Sequence, residues 1–69
     1  MSWLVKRSFT LAGHRTSIAL EPEFWDVLEG LATAQARSLA RLVSELDADR
    51  PVDRPLASIL RIHALQAAR

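Results

Sequence analysis

The chain has 69 residues, 49% of them hydrophobic, a formal net charge of +1 and no cysteine. A chain of this size forms one domain at most and buries only about 60% of the surface its unfolded form exposes, so with no disulfide to staple it, oligomerisation is the reinforcement left. Its two histidines, His14 and His63, stand far apart without ligand-spaced partners, and no uncharged run exceeds seven residues, which argues against a metal site and against a bilayer span.

Lys6 and Arg7 cut Trp3-Leu4-Val5 short of a signal-peptide core, so the expectation is a soluble cytoplasmic protein. The small net charge conceals a segregation. Residues 1 to 20 carry Lys6, Arg7 and Arg15 and no acid, residues 21 to 36 carry Glu21, Glu23, Asp26 and Glu29 and no base, and from Arg37 onward six arginines stand against Glu45, Asp47, Asp49 and Asp53. Basic character is therefore concentrated in the first segment.

That segment reads as two alternating strands, over about residues 7 to 12 and 14 to 20. A two-residue turn with Gly13 at its first central position is of type II′ and sets Leu11 opposite Thr16 and Phe9 opposite Ile18. Alternation places Thr16, Ile18 and Leu20 on an inner face and Ser8, Thr10, Arg15, Ser17 and Ala19 on the outer one. So short a strand cannot shelter its apolar row alone, and the neighbouring strand is expected from a second copy of the chain.

A first helix is predicted over about 21 to 35. Pro22 suits its first turn, the early carboxylates complement the helix dipole, and Phe24, Trp25, Val27, Leu28, Leu31 and Ala32 share one arc. Ser38 is the expected cap of a second helix, 38 to 50, with Leu39, Leu42, Val43 and Leu46 on one stripe. Pro55 opens a third, 55 to 68, striped by Leu56, Ile59, Leu60 and His63. The expected core joins Ile18 and Leu20 to Phe24, Trp25, Leu28, Leu31, Leu39, Leu42, Val43 and Leu46. His63 is read as a packing residue and His14 as a turn residue.

An alternating strand with a basic outward face, a proline-started helix, a short turn and a second helix opened by Ser38-Leu39 resemble the ribbon-helix-helix family of DNA-binding regulators, of the Arc and MetJ type. The resemblance covers about residues 15 to 50. Gly13-His14-Arg15-Thr16-Ser17 followed by Leu20-Glu21-Pro22-Glu23-Phe24-Trp25-Asp26 is similar to a bacterial subgroup whose members add an N-terminal strand and a C-terminal helix. The resemblance implies an α+β fold and an intertwined homodimer whose paired strands enter the major groove as a ribbon, in transcription regulation.

Carried over by position, the base-reading residues are Arg15, Ser17 and Ala19, and the DNA backbone is held at the start of the second helix by Arg37, Ser38, Leu39 and Arg41, with Ala40 adding a backbone N–H. Lys6, Arg7 and His14 are candidate flanking contacts. Ala19 departs from the polar residue usual at its place. Ala36 departs from the glycine common between the helices, at roughly 1 kcal/mol if its backbone turns left-handed.

No glycine-rich phosphate loop or nucleophile elbow is present, the carboxylates are explained by dipole and solvent, and neither an enzymatic activity nor a cofactor is expected. The competing expectation is a protein-interaction or antitoxin-like module using the third helix and the sheet, with weak or no DNA binding. The two readings divide on whether the N-terminal strand leaves the Arg15 face open.

Overall fold

The computed structural model describes residues 3 to 69. Two antiparallel strands, β1 (Val5–Leu11) and β2 (His14–Leu20), precede three helices, α1 (Pro22–Ala34), α2 (Leu39–Ala48) and α3 (Leu56–Ala67). The helices cover one face of the hairpin and leave the other uncovered, an α+β arrangement.

The turn is not the expected one. Its central residues are Ala12 and Gly13, both with positive φ (51° and 82°), which is the type I′ pattern. Leu11 pairs with His14, Phe9 with Thr16 and Val5 with Leu20. The register differs from the expected one by an even step, so every side chain stays on the face that alternation assigned. What the observed register gains is length, since the ladder now reaches Val5. There the carbonyl of Val5 accepts a 2.8 Å hydrogen bond from the Trp25 indole Nε1. Added ladder and anchor offset the roughly 1–2 kcal/mol that Ala12 costs in a left-handed conformation.

β1 of the same chain pairs with β2 along all seven residues, on one of its two edges. The core contains Phe9, Leu11, Ile18, Leu20, Trp25, Leu28, Ala32, Leu42, Val43, Leu60 and Ala64, with Phe24, Leu31, Leu39 and Leu46 packed at its edge, half-buried. The Phe9 and Trp25 rings lie 5.9 Å apart, tilted, at its centre. The expected core includes no residue of α3. In fact Leu60 is fully buried and Ala64 nearly so, because α3 packs against α1, α2 and β2 together.

The helix ends follow from particular residues. Pro22 stands at the first position of α1, where its missing N–H is no loss. At the other end Ala36 turns left-handed (φ 55°), and the Ala36 and Arg37 N–H groups donate to Thr33 O and Ala32 O, each at 3.0 Å. This is the Schellman closure, made with alanine where glycine is usual. Ser38 caps α2, its Oγ accepting from the Arg41 N–H at 3.1 Å. Pro55 stands just outside α3 as its cap residue. Arg50 holds the connection before it, donating to Arg54 O at 2.6 Å and pairing with Asp47 at 3.2 Å.

Candidate nucleic-acid interface

The uncovered face of the hairpin is built by alternation alone. Its cross-strand pairs are Lys6 with Ala19, Ser8 with Ser17 and Thr10 with Arg15. All but the half-buried Ala19 are exposed, and the Ser8 and Ser17 hydroxyls lie 3.1 Å apart. Neither strand contains a carboxylate, so nothing on this face neutralises Lys6 or Arg15 locally. Two cations among three hydroxyls make a surface able to contact phosphates and to donate to or accept from base edges. The N-terminal strand thus widens the Arg15 face and does not cover it.

The residues expected at this surface separate. Arg15, Ser17 and Ala19 are on it together with Lys6. Arg7 points to the helices, where its guanidinium pairs with Glu29 at 2.6 Å and lies 5.1 Å from the centre of the Trp25 ring. His14 is exposed at the turn, opposite Leu11 on the helix-facing side. Ser8 and Thr10 share the surface although no contact had been assigned to them. The signal was available: counting by two from the apolar Phe9 puts both neighbours outward.

The second group sits at the α1–α2 turn. An open cleft of about 330 Å³ is lined by Glu29, Ala32, Thr33, Arg37, Ser38 and Leu39. Arg37 and Arg41 both reach Glu45, Arg37 in an ion pair and Arg41 at 3.4 Å with most of its side chain in water. Hydrogen bonding from Arg37, and then from Arg41, holds the Glu45 carboxyl below the ordinary glutamate range. The corner therefore sets Arg37 and Arg41 against Glu45, with Glu29, paired to Arg7, on the cleft's other wall, beside the capped start of α2. Glu21, at the head of α1, is likewise held low, first by its own backbone N–H and then by Arg61, 3.0 Å away.

Among the described residues no group of side chains could hold a metal ion, and no helix is long and apolar enough to cross a membrane.

An acid-free antiparallel hairpin backed by helices, with a serine-capped second helix, defines the class as a small α+β fold. Within that class the chain matches the ribbon-helix-helix domain over residues 4–68, nearly its whole length, and it belongs to that family. Members are in general DNA-binding transcription regulators or antitoxins, and typically not enzymes. No curated protein and no solved structure matches the chain.

Proposed function

We propose that this protein is a sequence-selective, duplex-DNA-binding transcriptional regulator of the bacterial cytoplasm, working as a homodimer and without a catalytic activity of its own. The outer face of the sheet enters the major groove, and Arg15 and Ser17 read base edges there while Ala19 contributes apolar contact. Arg37, Ser38, Leu39 and Arg41 hold the sugar–phosphate backbone at the start of α2. The observation that carries this reading is the outer face itself, exposed, basic and free of carboxylate over both strands.

Titration against duplexes drawn from the DNA upstream of its own coding sequence, at two salt concentrations, tests it. Affinity falls steeply with salt as condensed counterions are released, with a log–log slope of about −0.9 per neutralised phosphate. Arg15→Ala weakens the preferred duplex by about 1–3 kcal/mol per lost base contact, whereas Arg41→Ala lowers affinity for all sequences alike. If Arg15→Ala binds every duplex as the parent does, the sheet face is not the reading surface.

One observation favours a second reading, a protein partner. Phe24, Val27, Ala64, Leu65 and Ala68, with Glu23 at the rim, line a groove of about 260 Å³ between α1 and α3, and Leu65 is 56% exposed. An antitoxin-like module would use this groove while the sheet stays on DNA.

A further inference from the structure

We propose that the apolar groove between α1 and α3 receives the same groove of a second copy, in a two-fold contact on the side of the molecule opposite the sheet. The inference names an occupant for the groove beside Leu65. It depends neither on DNA binding nor on how the strands of two copies are arranged.

Helix period sets where the groove opens. Trp25 of α1 points to the sheet, its indole donating to Val5 O and its ring beside Phe9. Val27 stands two residues on, about 200° round a helix that turns by about 100° per residue. With Phe24 it forms one wall of the groove, and Ala64, Leu65 and Ala68 form the other. The groove therefore opens away from the sheet. Leu65 is 56% exposed and Ile62, one turn earlier on α3, 38%. One exposed leucine is ordinary, but an apolar ridge beside an apolar groove is the relief by which packed helices interlock. Gly30, three residues after Val27, is exposed with open space where a Cβ would stand, so a neighbouring helix can approach closely there.

Charge selects the occupant. α1 carries Glu23, Asp26 and Glu29 and no base, whereas the chain from Leu56 to Arg69 carries Arg61 and Arg69 and no acid. Part of this charge is matched inside the fold, Glu29 by Arg7 and Arg61 by Glu21. Glu23, Asp26 and Arg69 are exposed, and among the described residues none of them has an ion pair. One wall of the groove is thus flanked by unmatched acid and the other by unmatched base, a surface that is its own complement under a two-fold axis. Arg61 lies at Glu21 and Phe24, and the later positions of α3 line the groove with Phe24 and Val27, so α1 and α3 run in the same sense. A two-fold axis through the groove reverses the second copy. Arg69 of each chain then lies over the first turns of α1 of the other, which carry Glu23 and Asp26, while Ile62 and Leu65 fill the facing groove. A helix of a single charge sign would satisfy only one wall. Both outer sheet faces stay open in this assembly and point away from each other.

Sedimentation equilibrium of the full chain over about a hundredfold range of concentration tests this. The parent should show a doubling of mass that Leu65→Glu weakens at least about thirtyfold, the effect of losing an interface anchor. Leu65 is exposed, and matched circular dichroism melts verify that the variant folds. Association through the strands is a separate step, which Leu65→Glu leaves unchanged. Glu23→Arg and Arg69→Glu reverse two symmetric pairs at once, so each should weaken the doubling by about tenfold. Combined in one chain they should restore it, because acid again faces base with the signs exchanged. A Leu65→Glu profile that matches the parent's, or a parent without this step, overturns the proposal and returns the groove to a partner of different sequence. A double variant no stronger than the two single ones overturns the two-fold pairing. A second measurement locates the contact. The sequence has no cysteine, so Leu65→Cys carries a single environment-sensitive fluorophore whose emission should shift to the blue as concentration rises, unlike the same label at Ser8→Cys on the outer sheet face. A shift confined to Ser8→Cys overturns the assignment.

Discussion

Ala36→Gly should make this protein more stable. Ala36 closes α1 with φ at 55°, a conformation in which an L-residue with a Cβ is strained by about 1–2 kcal/mol. Glycine removes that strain but has more freedom to lose on folding, roughly 0.5–1 kcal/mol relative to alanine. The difference is a gain of about 0.5–1 kcal/mol, which for a domain of this size raises the melting temperature by about 2–8 °C. The opposite exchange applies inside the same helix. Gly30 lies within α1, and a Cβ built on it meets nothing within 4 Å, so Gly30→Ala should add about 1 kcal/mol through helix propensity. Thermal melts and urea titrations of both variants and of their combination measure this, with the two increments expected to sum. Gly13→Ala is the counter-control, since φ there is 82° and it should destabilise. A lower melting temperature for Ala36→Gly would refute the reasoning, because the α1–α2 turn would then not be the left-handed closure described.

Leu60→Ala should cost about 2–5 kcal/mol, since Leu60 is fully buried, whereas Leu65→Ala at the exposed groove should cost far less. Equal losses in denaturant melts would remove α3 from the core. Trp25→Phe deletes the donor to Val5 O and with it about 0.5–1.5 kcal/mol, besides any packing loss; faster amide exchange at the start of β1 is the specific readout. Glu21 and Glu45 are both held below the ordinary glutamate value of about 4.3. A carboxylate held low contributes stability that is present above its unfolded value and lost as pH falls through its folded value. The urea midpoint should therefore drop on acidification below about pH 4.3, and Arg61→Gln and Arg37→Gln should each flatten that drop; an unchanged profile in both would dissociate the pairs from stability. For the homodimer, the melting temperature should rise with protein concentration, and a flat response with a monomeric mass would exclude it.

The faces of the strands were legible from residue order because a period of two survives any even change of register. Arg15 and Ser17 had to be outward wherever the turn fell. The turn itself was not legible: Ala12-Gly13 and Gly13-His14 are both reasonable two-residue loops, and the choice is made by Trp25 reaching Val5 O, a contact between residues twenty apart in sequence. Helix starts were readable at Pro22 and Ser38, where proline geometry and a side-chain cap act locally. The role of α3 was not, because its apolar stripe is equally consistent with an exposed groove or a buried contact, and only the placement of α1, α2 and β2 around Leu60 decides. Arg7 shows the same limit. Its neighbour Glu29 lies 22 residues away, so its charge looked available from sequence and is paired in the fold.

The strand before Gly13 and the helix after Pro55 are best understood together. A chain with one strand and two helices leaves an open strand edge and an apolar helix surface, and in the ribbon-helix-helix dimer described above a second copy closes them. Here β1 takes one edge of β2, and α3 brings Leu60 and Ala64 over the helix side, so one chain completes a core of eleven buried side chains. The outer edges of β1 and β2 and the groove beside Leu65 are the places where a partner can add. A core substitution such as Leu60→Ala acts on folding, while a substitution at an exposed outer-face position such as Lys6 or Arg15 leaves the core packing in place. Lys6, Ser8, Thr10, Arg15 and Ser17 are exposed on the face opposite the core, so on the proposed DNA-binding reading they can vary while the fold beneath them is kept.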